Sequence, residues 1–239
     1  MPVAIVTGAS KGLGKALARG LAEQGWSLVL DARSQPALAH TEVEVRTLLT
    51  GDARVRAVAG DVTDAAHRRT LKVAAEELGG LDLLVNNAST LGQSPLPRAA
   101  DMSPDTLRRV LEVNMVAPLA LIQETLPLLR RSANPRIINV TSDASVDHYD
   151  SWGGYGSSKA ALDHLSATLA VEEPDIRVWA VDPGDMRTDM HQDAFPGEDI
   201  SDRPQPDSVV PSLLALVAGV TPSGRLKAAE LATAVGGAP

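Results

Sequence analysis

Short apolar segments alternate with longer helical patterns along this chain of 239 residues. The apolar segments are typical of buried strands, and they run from Val3 to Thr7, Ser27 to Asp31, Arg54 to Ala59, Leu81 to Asn86, Arg136 to Thr141 and Ile176 to Asp182. Helical patterns lie between them, near residues 13–24, 35–49, 64–78, 104–132 and 156–173. Strands that alternate with helices form βαβ units, in which the strands are parallel and helices cover both faces of the sheet. The sequence therefore predicts an α/β fold with a doubly wound parallel sheet.

The length is typical of one α/β domain, and we predict a single domain over residues 1–239. Two polar breaks, near residues 91–103 and 186–207, interrupt the alternation. Both are too short to be linkers between domains, so we expect them to be loops that cover a site.

The charge and the residue types exclude several classes of function. The formal net charge is −8, from 22 basic and 30 acidic residues, which disfavours binding to nucleic acid or to an anionic membrane surface. The chain has no cysteine and five scattered histidines, so we predict no metal site. The amino terminus lacks a secretory pattern, and no apolar run is long enough to span a bilayer. We therefore expect a cytoplasmic protein.

Small, polar and turn-forming residues follow each of the six predicted strands. They are TGASKGLG after the first strand, Asp31-Ala32-Arg33 after the second, Asp61-Val62 after the third, Asn86-Asn87-Ala88 after the fourth, Ser142 after the fifth and Pro183-Gly184 after the sixth. Ligands of open α/β sheets bind outside the carboxyl ends of the strands. These six segments therefore predict one binding site along that edge.

The first of these segments fits a turn that binds a dinucleotide. Gly8 suits a tight turn, Gly12 lets the backbone approach a diphosphate, and Gly14 permits close packing of helix and strand. The following helix offers free N–H groups and the positive end of its dipole to a phosphate. The alternative is a glycine-rich turn without a ligand.

A second set of residues suggests proton transfer. Tyr155 and Lys159 lie four residues apart at the start of a predicted helix, so they share a face, and Ser142 ends the fifth strand. A tyrosine that acts near neutral pH needs its pKa lowered by roughly three units, and a nearby ammonium acts in that direction. The alternative is a Tyr–Lys pair at the surface and a serine without a catalytic role.

Taken in order, these segments resemble the short-chain dehydrogenase/reductase family in its single-domain form. TGASKGLG matches the family's TGxxxGxG loop, NNA at 86–88 its NNAG segment, YGSSK at 155–159 its YxxxK motif, and PGDMRT at 183–188 its PG…T segment. Asp61-Val62, Asn114 and Ser142, which lies 13 residues before Tyr155, also match. The resemblance covers nearly the whole chain and implies a Rossmann-type fold that binds NAD(P).

The resemblance also implies a role for each matching residue. Tyr155 is expected to be the general acid or base, Lys159 to lower its pKa, Ser142 to hold the substrate oxygen, and Asn114 to hold a water that relays protons to Lys159. Thr188 and the backbone from Gly184 to Met186 are expected to fix the nicotinamide carboxamide. The expected cofactor-binding residues are Gly8, Ser10, Lys11, Gly12, Leu13, Gly14, Asp31, Arg33, Asp61, Val62, Asn87, Ala88, Tyr155, Lys159, Pro183, Gly184, Met186 and Thr188.

The chain departs from the family pattern at two places. Ser89 stands where the family usually has the glycine of NNAG, and we expect the small serine to be tolerated. The carboxyl-terminal region has no recognisable form of the family's last strand, and residues 224–231 are only a weak substitute for it.

The end of the second strand bears on the choice between NADP(H) and NAD(H). Ala32 stands where NAD users of the family carry an aspartate, and Arg33 is placed to pair with a 2′-phosphate. Lys11 adds a positive charge on the same side. We therefore predict NADP(H). If Asp31 instead faces the ribose, the preference reverses to NAD(H).

The function predicted is the interconversion of a carbonyl and a secondary alcohol by hydride transfer, on a small molecule that the sequence does not identify. Tyr149, Trp152, Tyr155 and Phe195 suggest a partly apolar substrate pocket, and the acidic segment 185–207 suggests a lid that disfavours anionic substrates.

A redox sensor without turnover and an epimerase or dehydratase on the same fold are the alternatives to this function. The resemblance also implies a homodimer or homotetramer formed through the helices near 104–132 and 156–173.

Overall fold

The apolar segments form the strands of one parallel sheet. The computed structural model describes residues 1–235, with side chains to residue 231. The strands are β1 (Val3–Val6), β2 (Ser27–Ala32), β3 (Val55–Ala59), β4 (Leu83–Asn86), β5 (Arg136–Val140), β6 (Arg177–Asp182) and β7 (Gly224–Lys227). Neighbouring strands are parallel, in the order β3-β2-β1-β4-β5-β6-β7. This order confirms the predicted doubly wound fold. Residues 236–239 of the predicted domain lie outside the described residues.

The helices that connect the strands are α1 (Gly12–Glu23), α2 (Gln35–Leu48), α3 (Ala65–Leu78), α4 (Pro104–Leu111), α5 (Ala117–Leu129), α6 (Gly153–Glu172), α7 (Asp189–Ala194), α8 (Val210–Ala218) and α9 (Ala228–Val235). Four of the five predicted helices match closely. The predicted helix near 104–132 is instead two helices joined by a π turn over Glu112–Val116. The sequence analysis missed α7, which has only six residues, and α8, which is too uniformly apolar to show a helical period.

The two faces of the sheet bury separate cores because successive strand residues point to opposite sides. Ala4 and Val6 of β1 pack on one face, with side chains of α1, α2 and α8. Val3 and Ile5 pack on the other face, with side chains of α3 and α5. At the end of a strand, two consecutive side chains therefore also point to the two opposite faces of the sheet.

The seventh strand exists, although its sequence has no strand pattern. The weak substitute at 224–231 is the strand β7 followed by the start of α9. Its register places Gly224 beside Trp179 of β6. Arg225 fixes the strand by ion pairs of 3.0 Å with Asp163 and 3.6 Å with Asp182. In the other strands apolar side chains hold the strand in the sheet, whereas in β7 the ion pairs of one arginine do so.

The order of the strands reverses between β1 and β4, which are direct neighbours. The segments that follow β1 and β4 therefore run away from each other, and a crevice opens between them at the carboxyl edge of the sheet. Among the described residues, no helix is both long and apolar enough to cross a membrane.

Candidate active site

The six predicted segments meet in one cleft at the carboxyl edge of the sheet, with a volume of about 1190 Å³. Of the catalytic candidates, Ser142, Tyr155 and Lys159 line it, and so do all the cofactor-binding candidates except Gly14. Gly14 and Asn114 lie behind the wall, where they support residues that line it. The cleft is therefore the site that the sequence predicts.

The glycine loop has the geometry that a diphosphate needs. Gly8 and Gly12 have φ values of +65° and +54°, which favour glycine. A Cβ atom on Gly14 would lie 2.4 Å from the Gly8 carbonyl oxygen and 2.5 Å from Asn87 Nδ2. Asn87 is fixed in turn, because its Nδ2 donates to the Thr7 carbonyl at 2.8 Å. The loop is thus held open in front of the amino end of α1, and it fits a dinucleotide phosphate.

At the end of β2, Asp31 lines the cleft but its side chain is bonded within the protein. Its Oδ1 lies 2.6 Å from Nε2 of His67 on α3, and both side chains are buried. Burial raises the pKa of Asp31 above its usual value, against the lowering effect of His67. The Asp31 carboxylate therefore has its partner inside the protein, which removes the observation that would have favoured NAD(H).

Arg33 is the cation that this arrangement leaves available. It lines the cleft, and within the described part of the chain it makes no ion pair and no side-chain hydrogen bond. Lys11 also lines the cleft, and its Nζ lies 2.8 Å from Asp189 of α7. Both side chains of that pair are mostly exposed, so the ion pair is weak. The expected role of Lys11 beside a 2′-phosphate stays a prediction.

Asp61 closes the cleft on the side of β3. Its Oδ2 accepts from Arg109 at 3.1 Å, and its Oδ1 accepts from the backbone and hydroxyl of Thr63. Burial would raise the pKa of Asp61, but the hydrogen bonds from Thr63 and Arg109 outweigh it and hold the pKa below its usual value. Asp61 is therefore a charged acceptor on the β3 side of the cleft.

Tyr155 and Lys159 lie on the buried face of the first turns of α6. The exposed fraction of the side chain is 8% for Tyr155 and 2% for Lys159. Lys159 Nζ donates to the Val140 carbonyl at 2.8 Å and lies 5.6 Å from the centroid of the Tyr155 ring. The structure thus brings together the two groups that the sequence pairs.

The pKa of Tyr155 differs from the expectation. Burial raises it to about 12, and hydrogen bonds with Ser89 and Ser142 oppose this only in part. Burial also lowers the pKa of Lys159, to about 8, because a buried ammonium is poorly solvated. The expected lowering of the Tyr155 pKa is therefore wrong for the chain alone, and Tyr155 is a protonated phenol at neutral pH.

Asn114 occupies the π turn between α4 and α5, and its amide is fully hydrogen bonded. Oδ1 accepts from the Thr90 backbone at 2.9 Å and from Ser89 Oγ at 3.1 Å. Nδ2 donates to the Thr90 carbonyl and to Ser158 Oγ, both at 2.9 Å. These bonds use every donor and acceptor of the amide, so the side chain of Asn114 anchors the loop after β4. Its expected part in holding a water stays a prediction.

Two residues of the site were missed by the sequence analysis. Ser89, treated only as a tolerated departure, contacts both Asn114 and Tyr155. Asp143 accepts from Ser142 Oγ at 2.9 Å through Oδ1 and from the Tyr149 hydroxyl at 2.9 Å through Oδ2. In the sequence, only the position of Asp143 directly after Ser142 could have indicated that it belongs to the site.

The segment from Pro183 to Ser208 covers the cleft and is more ordered than the predicted loop. Gly184, with φ +74°, turns the chain, and its N–H donates to Asp182 Oδ1 at 3.0 Å. Thr188 caps α7 by accepting from the His191 N–H at 3.2 Å. A Cβ on Gly12 would lie 3.4 Å from Thr188, so this segment lies close over the glycine loop.

The aromatic residues predicted for the substrate pocket form one wall. Trp152 lies at the start of α6, with ring-centroid distances of 5.7 Å to Tyr155, 5.8 Å to Phe195 and 6.3 Å to Tyr149. Leu91 and Met190 pack at the same place. The pocket beside Tyr155 is therefore apolar and aromatic, as small-molecule sites usually are.

Comparison with known proteins agrees with this geometry. The family model described as short chain dehydrogenase matches residues 2–199. Sepiapterin reductase of Meriones unguiculatus is 36% identical over 199 residues, which are 80% of this chain and 76% of that protein. A short-chain dehydrogenase from Pseudomonas syringae has a TM-score of 0.88 at 31% identity, covering 95% of this chain and 94% of that one. An alcohol dehydrogenase from Thermococcus sibiricus, complexed with 5-hydroxy-NADP, has a TM-score of 0.84 at 28% identity, covering 95% of both chains.

The family match spans more than three quarters of the chain and includes the glycine loop, Ser142, Tyr155 and Lys159. The structural matches extend it over nearly the whole sheet. The chain is an NAD(P)-dependent oxidoreductase and belongs to the short-chain dehydrogenase/reductase family.

Proposed function

We propose that the protein is an NADP(H)-dependent enzyme that interconverts a carbonyl and a secondary alcohol, with Tyr155 as its general acid and base. The observation that carries the proposal is a buried phenol beside Ser142 and Lys159, in the same cleft as a phosphate loop and an unpaired arginine. A redox sensor without turnover would need the loop and the arginine but none of the three catalytic groups.

The cofactor would supply or accept the hydride, and the side chains would manage the proton and the substrate oxygen. In the reductive direction the Tyr155 hydroxyl donates its proton to the substrate oxygen, while Ser142 holds that oxygen by a hydrogen bond. Lys159 in its charged form stabilises the phenolate that remains. Tyr155 is protonated at neutral pH, which agrees with its proposed role as the proton donor in reduction.

Three observations at the end of β2 support NADP(H) over NAD(H). Arg33 has no partner among the residues that the structure describes, Ala32 provides no carboxylate that would repel a 2′-phosphate, and the Asp31 carboxylate is held by His67. A structural neighbour complexed with 5-hydroxy-NADP is consistent with this choice.

The cofactor proposal is tested by titrating the protein with NADPH and NADH. We expect NADPH to bind at least about tenfold more tightly, a difference of about 1.4 kcal/mol. Arg33→Ala should weaken NADPH by about tenfold and leave NADH within about twofold, because only NADPH has the 2′-phosphate. Arg69→Ala, at an exposed arginine of α3 that does not line the cleft, is the matched control. Equal affinities in the unmodified protein would contradict the proposal.

The role of Tyr155 is tested by Tyr155→Phe, which removes the hydroxyl and keeps the ring. We expect kcat/KM for carbonyl reduction to fall by about 10²–10⁴, the usual contribution of a general acid. The affinity for NADPH should change little, since the glycine loop and Arg33 are untouched. Unchanged turnover in this variant would remove Tyr155 from the mechanism, and retained biological effect without turnover would favour the sensor.

We further propose that the protein acts on a small molecule as a homodimer or homotetramer, through the outer faces of α5 and α6. Most outward positions of α6 carry small side chains, which let a second helix approach closely; they are Gly153, Ser157, Ala160, Ala167 and Thr168, and His164 is a larger exposed residue among them. Val116, just before α5, and Val171, near the end of α6, are also exposed.

A further inference from the structure

The two halves of the cleft carry opposite charge. In the half formed after β1, β2 and β3 the basic residues Lys11, Lys15, Arg19 and Arg33 outnumber the two lining carboxylates, Asp31 and Asp61, and Arg109 of α4 adds a further positive charge. The half formed after β5 and β6 is lined by the carboxylates of Asp143, Asp182, Asp185, Asp189 and Asp207, of which Asp143 lies beside the aromatic wall. The lysine and arginine that line this second half are Lys159, which is buried, and Arg187. Arg187 bonds within the segment that covers the cleft, where it donates to the Ser201 carbonyl at 3.4 Å. The substrate half therefore has no available cation among the described residues.

Asp143 differs from the other carboxylates of this half because its partners are all neutral, whereas Asp182, Asp185, Asp189 and Asp207 each have a lysine or arginine partner. Its Oδ1 accepts from Ser142 Oγ at 2.9 Å and from the Ala144 N–H at 2.8 Å, and its Oδ2 accepts from the Tyr149 hydroxyl at 2.9 Å. No ion pair involves Asp143 in the described part of the chain, whereas Asp185 lies 3.5 Å from Arg203. The carboxylate of Asp143 thus keeps an uncompensated charge next to the catalytic serine.

The effect of that charge is visible at Tyr149. The pKa of Tyr149 rises to about 12, chiefly because its hydroxyl donates to Asp143. Carboxylates have about four acceptor positions, so the three donors leave Asp143 able to accept from a ligand as well. A cationic donor would gain most from it, and an anion would be repelled.

The aromatic wall sets the shape of what lies beside Asp143. Trp152 contacts Tyr149, Tyr155 and Phe195, and Tyr149 is the residue that donates to Asp143. The aromatic wall therefore lies next to the catalytic hydroxyl of Tyr155 and, through Tyr149, next to the carboxylate of Asp143. This combination, a planar apolar wall with a single unpaired carboxylate, favours an aromatic body that carries an N–H donor.

We propose that Asp143 determines substrate choice, and that the substrate is a carbonyl compound with a planar aromatic body and a hydrogen-bond-donating nitrogen, preferably cationic. Carbonyl compounds that carry a carboxylate are excluded by the same charge. The proposal rests on the proposed reductase function and adds the chemical class of its substrate.

Three ketones of nearly equal size and shape test the proposal: 4-acetylbenzamidine, 4-acetylbenzamide and 4-acetylbenzoate, which are cationic, neutral and anionic. Binding of each to the protein saturated with NADP⁺ and reduction of each with NADPH are measured. We expect the amidine to exceed the amide, and the amide to exceed the benzoate, each by about tenfold in Kd and in kcat/KM. Asp143→Asn should reduce each ratio to within about threefold of unity, by weakening the amidine and strengthening the benzoate.

Asp147→Asn is the matched control, since Asp147 is an exposed carboxylate of the same loop that does not line the cleft. It should leave the three ratios unchanged. A loss that is equal for all three ketones in Asp143→Asn would mean that Asp143 only supports the loop, and it would overturn the proposal. Equal binding of the three ketones to the unmodified protein, or no binding of the amidine up to its solubility limit, would overturn it too. NADPH binding, measured separately, distinguishes these outcomes from failure of the proposed function, which would appear as a protein that binds no cofactor.

Discussion

Tyr155 and Lys159 share one buried environment, and burial acts on their charged forms in the same sense. The phenolate and the ammonium are both disfavoured, so the pKa of Tyr155 rises to about 12 and that of Lys159 falls to about 8. Below about pH 8 the pair is a neutral phenol and an ammonium, which is the combination that a proton donor to a carbonyl oxygen requires. At higher pH the phenol remains, but the charge that stabilises its conjugate base is lost.

A pH dependence of reduction follows from these two values. We expect kcat/KM for carbonyl reduction to fall as pH rises through about 8, because Lys159 loses its proton there while Tyr155 keeps its own. Initial rates between about pH 6 and 10 measure this limb, and the NADPH affinity over the same range separates it from cofactor binding. A profile that stays level to the upper end of this range would show that the charge of Lys159 does not assist the step.

At the scale of elements, the sequence was sufficient where a local pattern decides the structure. Val3–Val6 and Arg136–Val140 are apolar runs followed by small or polar residues, and both became strands whose ends form the cleft. The glycine loop could also be predicted from the sequence. Gly8 and Gly12 have positive φ values, and Gly14 lies too close to Gly8 and Asn87 for a Cβ atom, so few other residues fit at these positions. Local backbone chemistry thus predicted most of the cleft.

Contacts between distant elements could not be predicted in this way. The Asp31–His67 pair joins residues 36 positions apart, and the Lys11–Asp189 pair joins residues 178 positions apart. Each pair gives a cleft residue, Asp31 or Lys11, a partner that was not expected, yet neither pair leaves a pattern in the sequence. The strand β7 was uncertain for the same reason, because the partners of Arg225 lie on α6 and β6.

The junction of β1, α1 and β4 is where element packing and cofactor binding coincide, and Gly14→Ala tests it. The added Cβ would meet the Gly8 carbonyl at 2.4 Å and Asn87 Nδ2 at 2.5 Å, so the loop must shift. We expect a loss of about 1–3 kcal/mol in the free energy of unfolding and weaker NADPH binding. Gly153→Ala, whose Cβ would meet Ala99 at an ordinary 3.6 Å, should cost less than about 0.5 kcal/mol by comparison. Equal stabilities of the two variants by denaturant titration would contradict the close packing.

For the molecule as a whole, the net charge of −8 is unevenly placed. Basic side chains line the cofactor half of the cleft, and ion pairs such as Lys11–Asp189 and Arg19–Asp207 connect that half to the covering segment. The cleft can therefore attract an anionic dinucleotide although the protein is acidic, because interaction at short range outweighs the screened net charge.

The outer face of α6 leads to a prediction about assembly. We expect the protein in solution to have twice or four times the 25.0 kDa mass of one chain, as measured by light scattering after gel filtration. Thr168 is exposed on this face, and its Oγ1 donates to the carbonyl four residues earlier at 3.1 Å. Thr168→Arg should lower the mass, because each twofold contact would then bury two opposed guanidinium groups. Thr70 of α3 is exposed and makes the same bond at 3.1 Å, so Thr70→Arg adds the same charge on a helix outside the proposed interface and should leave the mass unchanged. If both variants keep the native mass, the contact lies elsewhere, and if the native protein has the mass of one chain, the small side chains of α6 face only solvent.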